Sequence, residues 1–208
     1  MKRPLAASII CIALAVALVL PAAHPVQAGN DPTIPAMPNV AEDAAALSDA
    51  AAYCVKKGGE VDTRTPYYNT NDIQQNWFRL SGDRNFCKFT SKKDGSRIHV
   101  LLSTLYTQKP SLAALAYYAK VPFDGSTCQG NPGSCYCSQL GGTDLFGGIN
   151  LNGGGWVQKS DPVDTVLEAC ILPDLSSIDS WGLTYHQANI IRGKNLKGVL
   201  RYPDPYAK

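Results

Sequence analysis

The feature that most constrains this chain is a repeated spacing of cysteines. Cys54 and Cys87 lie 33 residues apart, and so do Cys137 and Cys170. In both places a tyrosine precedes the first cysteine and a Gly-Gly pair begins four residues after it, and the two copies are displaced by 83 positions. Such self-similarity at a fixed displacement is typical of an internal duplication. The sequence therefore predicts two related modules, 40–122 and 123–208, either separate or packed as one compact unit.

The N-terminal residues have the pattern of a secretory signal peptide. Two basic residues precede an apolar run over 5–20, and small residues around Ala28 offer a cleavage site. An uncleaved anchor is disfavoured because the run is shorter than the ~20 residues that cross a bilayer. We expect cleavage after Ala28, a secreted or periplasmic protein without a transmembrane span, and a proline-rich flexible lead-in over 29–39.

Charge argues against a nucleic-acid partner. Only Lys2 and Arg3 among the charged residues lie in the predicted leader, so 17 basic and 17 acidic residues follow it. A formally neutral chain has no overall field that would steer it onto nucleic acid. The basic residues near the C-terminus are interpreted as a solvated face.

Six cysteines follow the predicted leader, and an even number in an oxidising compartment favours three disulfides over metal binding or thiol catalysis. Six cysteines allow 15 connectivities. Because equivalent copies should close equivalent loops, the duplication favours Cys54 with Cys87 and Cys137 with Cys170, which leaves Cys128 with Cys135. We expect no metal site and no cofactor, since the spacing does not match a zinc motif.

Local patterns predict an α+β fold in which each module is a helix followed by a small antiparallel β-sheet. An apolar stripe that includes Leu47 and Cys54 predicts a helix ending at Gly58, and Asn131 before Pro132 predicts the start of a second. Short runs rich in aromatic and β-branched residues predict strands. The predicted strands are 73–80, 86–90, 97–103, 156–159 and 166–172, and 111–120 is predicted to be a helix.

The second copy resembles a known family. Residues 131–137 (NPGSCYC) with the following Gly-Gly, and 170–174 (CILPD) with Trp181 and Tyr185 after them, are similar to a small bacterial secreted domain of unknown function that carries the label hemolysin. The first copy matches through fewer residues. The family pattern has further cysteines where this chain has Ile98 and Ile178. Their joint absence suggests that they pair with each other in the family, which also supports pairing of the retained cysteines within each copy.

Candidate catalytic residues are few. Aligning the copies at Ile98 and Ile178 places His99 opposite Asp179, and a pseudo-twofold arrangement would bring them together as base and orienting carboxylate. The alternatives are a structural histidine in an apolar strand and an aspartate that starts a turn or helix. His186 is the other histidine after the leader, and neither histidine lies in a recognised catalytic motif.

Candidate binding residues lie in the glycine-rich stretch 141–156 and among the aromatic residues. This stretch lacks the ending of a phosphate loop and is interpreted as a hairpin or loop that Trp156 anchors. The carboxylates Asp161, Asp164 and Glu168 match no calcium loop and are interpreted as a solvated turn. The predicted binding residues are Trp156, Asn150, Asn152, Tyr67 and Tyr68.

These observations favour a secreted or periplasmic non-catalytic binding or inhibitor module whose partner is an envelope protein or a glycan. One alternative is a secreted hydrolase that uses His99 or His186, which predicts a histidine within hydrogen-bond reach of a carboxylate in a pocket. The other is a membrane-active, hemolysin-like factor, which predicts a large exposed apolar patch.

Overall fold

The computed structural model describes residues 40–144 and 152–207, so the predicted signal peptide and lead-in lie outside the described residues. The described part contains five α-helices and eight β-strands. The helices are α1 (Val40–Lys56), α2 (Leu102–Tyr106), α3 (Leu112–Ala119), α4 (Pro132–Gln139) and α5 (Ser180–Gln187). The strands are β1 (Glu60–Tyr68), β2 (Phe78–Arg79), β3 (Arg84–Thr90), β4 (Arg97–Leu101), β5 (Gly154–Val157), β6 (Val166–Leu167), β7 (Ala169–Ile171) and β8 (Ser177–Asp179). The predicted α+β class is confirmed.

All strand pairs are antiparallel, and the strands of both halves join one sheet in the order β6-β5-β1-β3-β4-β8-β7, with β2 paired to the end of β1. The two ends of this path, β6 and β7, are separated in the chain by Glu168 alone. The sheet must therefore curl until its edges meet, as in a small barrel. Contacts among Phe86, Trp156, Leu167 and Ala169, which come from four strands, mark the interior.

The outer face of the sheet carries the main hydrophobic core. Side chains alternate along a strand, so Cys87 and Phe89 of β3 point away from the barrel interior, as do Ile98 and Val100 of β4. They pack against the buried faces of the helices. Burial of this face fixes the register of β3 against β4, because a shift by one residue would turn these side chains into the barrel.

The three predicted disulfides are confirmed: Cys54–Cys87, Cys128–Cys135 and Cys137–Cys170. The Gly-Gly pairs show why small residues follow each first cysteine. Gly58 and Gly141 end their helices with φ of +81° and +80°, a left-handed conformation that favours glycine. Gly59 and Gly142 pack against the disulfides, and a Cβ at either position would overlap a sulfur atom of its own copy.

A second matched feature is the turn that precedes β4 and β8. In the turn before β4, Oδ1 of Asp94 accepts hydrogen bonds from the backbone N–H and the hydroxyl of Ser96. In the turn before β8, Oδ1 of Asp174 accepts the same two bonds from Ser176. The residue between them has a positive φ, +72° at Gly95 and +63° at Leu175. Position Leu175 thus carries a bulky residue where glycine is preferred.

Several predicted elements differ from those observed. The predicted strand 73–80 is a 3₁₀ turn (Gln74–Asn76) followed by β2, and 97–103 divides into β4 and the start of α2. β1, the longest strand, was not predicted because its sequence DTRTP reads as polar. Leu47 in the predicted buried stripe of α1 is 43% exposed, whereas Ala50 and Cys54 are buried. No described helix combines the length and the apolar character that crossing a membrane requires.

Candidate functional site

The interior of the barrel has a polar part and an apolar part. Arg64 on β1 lies in the polar part and is fully buried. Its Nε is 2.6 Å from Oδ2 of Asp62, and one terminal nitrogen is 3.2 Å from Oδ2 of Asp161. Its other terminal nitrogen donates to the carbonyl oxygens of Trp156 and Asp164. The guanidinium therefore ties β1 to the connection between β5 and β6 at several points.

Asp161 is the carboxylate on which this network converges. It accepts hydrogen bonds of 2.7 and 2.9 Å from Arg97 and lies 3.6 Å from Nζ of Lys88, in addition to its contact with Arg64. Although burial opposes ionisation, the hydrogen bonds from Arg97 hold the pKa of Asp161 well below its usual range. The prediction of a solvated turn is wrong here, because Asp161 is 4% exposed and ion-paired.

His99 on β4 lies between two buried carboxylates. Its Nε2 is 3.2 Å from Oδ2 of Asp62, and its backbone N–H donates to Oδ2 of Asp179 over 2.6 Å. Its Nδ1 is 4.0 Å from the same Asp179 oxygen. Burial raises the pKa of Asp62, but hydrogen bonds from His99 and the charge of Arg64 outweigh it and lower that pKa.

The structure thus brings His99 and Asp179 together, as the pseudo-twofold hypothesis requires, but the imidazole is oriented by Asp62. Asp179 also has the role of a helix-start residue, since its Oδ1 accepts from the backbone N–H of Gly182 in the first turn of α5. Asp62 was missed because it lies in an unpredicted strand. Asp62 and Arg64 lie two positions apart, so in an extended strand they share one face, and this spacing was the signal that the sequence offered for an ion pair.

A small pocket of about 260 Å³ opens beside His99 and Asp179. Glu168, Trp181 and Arg192 also line it. Burial raises the pKa of Asp179 and of Glu168. The pocket therefore places an oriented imidazole near carboxyl groups that hold protons more firmly than usual.

Asp144 lies in a related polar site between α4 and α5. Its Oδ2 accepts hydrogen bonds of 2.9 Å from the hydroxyls of Ser134 and Ser180. Burial, reinforced by the negative charge of Glu168, raises the pKa of Asp144 to about 6. This carboxyl group therefore titrates well above the range of an exposed aspartate.

His186 lies apart from this polar cluster. Its ring stacks on that of Tyr117 with centroids 3.6 Å apart and planes 6° from parallel. The residue is 2% exposed, and neither ring nitrogen has a hydrogen-bond partner among the described residues. Burial lowers the pKa of His186 to about 4. Its surroundings are those of a core aromatic side chain.

The apolar part of the interior opens to the surface as a cleft of about 550 Å³. Phe86, Leu101, Trp156 and Ile171 belong to the small interior core and line the cleft. Exposed side chains also line it. The exposed lining residues include Leu80, Arg84 and Leu175. The cleft joins strands of the first half to strands of the second.

Of the predicted binding residues that the structure describes, Trp156 alone lines this cleft. Trp156 lines it, and its ring is 5.9 Å from that of Phe86. Tyr67 contacts Trp77 and lies under Nζ of Lys159, and the hydroxyl of Tyr68 accepts a hydrogen bond from Asn152. Neither tyrosine is among the residues that line the cleft.

Asn150 and the rest of 145–151 lie outside the described residues. The described ends of the glycine-rich stretch contribute Gly141, Gly142, Thr143 and Trp156 to the cleft lining. The predicted binding stretch therefore borders the cleft at both of its described ends.

The segment 124–130 is the exposed loop that an inhibitor module would require. Most of its residues are exposed, and the Cys128–Cys135 disulfide ties it to α4. The backbone N–H of Asp124 also donates to Oε1 of Gln139. This loop is a second exposed surface, and together with α4 it lines a cleft of about 610 Å³ whose side chains are mostly polar.

Comparison of the chain with protein-family models, with curated proteins and with solved structures found no match in any of the three.

Proposed function

We propose that this protein is a secreted, non-catalytic binding protein that holds an apolar ligand in the mouth of its barrel. The observation that supports this most directly is the cleft of about 550 Å³ with an apolar floor formed by Phe86, Leu101 and Trp156. Clefts of this size and composition are typical of small-molecule sites, and barrel mouths are one of their usual places. The apolar floor favours an apolar ligand over a glycan.

Two features of the cleft lower the stability of the protein without a ligand. Leu175 is 67% exposed and adopts φ of +63°, a conformation that costs a side-chain-bearing residue about 1–2 kcal/mol. Ser177 is 2% exposed, and its hydroxyl has no hydrogen-bond partner among the described residues. Strained backbone and unpaired buried polar groups cluster at binding sites. A ligand in the cleft would cover Leu175.

Leu175→Gly tests this proposal without threatening the fold. Glycine adopts the left-handed conformation at no steric cost, so the variant should be at least as stable as the wild type. It should bind the neutral fluorophore N-phenyl-1-naphthylamine about fivefold more weakly, because an apolar contact worth about 1 kcal/mol is lost. Fluorescence titration and urea denaturation measure the two effects separately.

Val163→Gly is the matched control, since Val163 is 68% exposed but lies outside the cleft. It should leave fluorophore binding unchanged. Leu101→Trp, which places an indole in the cleft, should abolish binding. Saturable binding that survives Leu101→Trp would contradict the proposal.

A second candidate function is hydrolysis at the polar pocket, which the 3.2 Å contact between His99 and Asp62 favours. An oriented imidazole beside carboxyl groups whose pKa values are raised is the arrangement of a general base and a general acid. The protein should then hydrolyse p-nitrophenyl acetate faster than its His99→Gln variant, whereas His186→Gln should match the wild type. Equal rates in all three proteins would reject this alternative.

We further propose that the two halves arose by duplication. Three features support this, because each has the same local geometry in both halves. They are the helix ends, the glycines that pack against the disulfides, and the Asp-x-Ser turns. The copies have diverged in length, since Asp94 lies seven positions after Cys87 whereas Asp174 lies four positions after Cys170. This difference changes which residues pair across each hairpin.

A further inference from the structure

The charge distribution around the cleft points to the chemical class of its ligand, an inference that rests on the binding function proposed above. Arg84 is the one charged residue among those that line the cleft in the described part of the chain. It is exposed, and it lies two residues from Phe86 on the same face of β3. An apolar floor with a cation at its edge is complementary to a molecule with an apolar body and an anionic end.

Arg84 differs from the other arginines of the described chain in having no partner there. Arg64, Arg79 and Arg97 each contact an aspartate, and Arg192 and Arg201 lie over the rings of Tyr185 and Tyr106. Among the described residues, Arg84 has neither an ion pair nor a hydrogen bond from its side chain nor an aromatic ring beneath it.

The nearest carboxylates in the sequence and across the strand pair are already engaged. Asp83, the preceding residue, accepts from Arg79 over 3.4 Å. The cross-strand neighbour of Arg84 is Arg64, and the aspartates around Arg64 are buried with it. The Arg84 guanidinium is therefore available to an anion that enters from solution.

We propose that the ligand is a single-chain fatty acid whose chain occupies the cleft and whose carboxylate pairs with Arg84. A guanidinium presents two parallel N–H groups that match the two oxygens of a carboxylate. The volume of the cleft suits one acyl chain.

The test is isothermal titration calorimetry with dodecanoate, dodecanol and dodecylammonium, each below the concentration at which it forms micelles. Dodecanoate should bind about five- to tenfold more tightly than dodecanol, and dodecylammonium should bind most weakly. Higher salt should weaken the binding of dodecanoate and leave that of dodecanol unchanged, because only the former includes an exposed ion pair.

Arg84→Gln should reduce the affinity for dodecanoate to that for dodecanol and leave dodecanol binding as it is. Arg79→Gln is the matched control, since Arg79 is an exposed arginine outside the cleft lining, and it should change neither affinity. A variant that lowers both affinities equally would show that Arg84 does not select the carboxylate.

The outcomes separate the two proposals. If dodecanol and the neutral fluorophore bind but dodecanoate has no advantage, the fatty-acid assignment is wrong and the apolar site stands. If none of these molecules binds, the proposed binding function fails and this inference fails with it. Tighter binding of dodecyl phosphate than of dodecanoate would replace the carboxylate by a phosphate and overturn the assignment.

Discussion

Replacing Arg64 with methionine should lower the free energy of unfolding by about 3–5 kcal/mol. The side chain is fully buried, and its removal would leave Asp62 and Asp161 in the barrel interior with less of the positive charge that neutralises them. Removing one partner of a buried ion pair costs more than the pair itself contributes, because the remaining charge stays desolvated. Urea denaturation of the oxidised protein at neutral pH measures the change.

Arg79→Met is the matched control for this substitution. Arg79 also contacts an aspartate, but its side chain is 61% exposed and its contact with Asp83 is 3.4 Å long. Exposed ion pairs contribute less than about 1 kcal/mol, so this variant should be nearly as stable as the wild type. If Arg64→Met cost no more than Arg79→Met, the buried network would not stabilise the barrel.

Two buried groups, Asp144 and His186, should change stability with pH in opposite directions. The pKa of Asp144 is raised to about 6 by burial, so its contribution to stability is complete below the ordinary value of 3.8 and is lost as the pH rises through 6. The pKa of His186 is lowered to about 4 by burial, so its contribution is complete above 6.5 and is lost as the pH falls toward 4. Each amounts to about 3 kcal/mol.

These two contributions should largely cancel in the wild type between pH 4 and 6.5. Asp144→Asn keeps an acceptor for both serine hydroxyls and removes the titration, so on acidification this variant should lose about 3 kcal/mol relative to the wild type. His186→Phe keeps a ring against Tyr117, and it should gain stability over the same range. Glu168 and Asp179, whose pKa values burial raises, add stability on acidification in the wild type and in every variant, so each variant is compared with the wild type.

Chemical denaturation at pH 4, 5, 6 and 7 would show these slopes, and the slope of the double variant should lie between those of the two single variants. Asp62 and Asp161, whose pKa values are lowered, lose part of their contribution at the acid end of this range, but they are present in every variant, so their effect cancels when each variant is compared with the wild type. Parallel curves for Asp144→Asn and the wild type would show that Asp144 does not titrate as described.

The parts of the fold that were predictable depend on local chemistry. Asn131 caps α4 by accepting from the backbone N–H of Gly133, Pro132 occupies the first turn, and Gly141 has the left-handed conformation expected after a helix. The disulfides were predictable for a different reason. The repeated frame reduced 15 connectivities to one, and the structure has that pairing.

The polar interior was not predictable, because its contacts join residues that are far apart in sequence. Arg64 and Asp161 are separated by 97 positions, and their contact depends on the pairing of β1 with β5. Prediction of strands from hydrophobic periodicity assumes that the buried positions of a strand are apolar. In β1 two of the buried positions are Asp62 and Arg64, so the strand has the appearance of a polar loop.

The order of strands also has a consequence for how the chain folds. β1, β3 and β4 of the first half form a ribbon of neighbours, and the second half adds β5 with β6 to one side of it and β8 with β7 to the other. A chain that has emerged only as far as residue 144 therefore has two unpaired sheet edges, β1 and β4. Both edges are available for pairing with other nascent chains. Assembly of the closed structure must wait for the second half, so a pause in synthesis before residue 154 would favour aggregation.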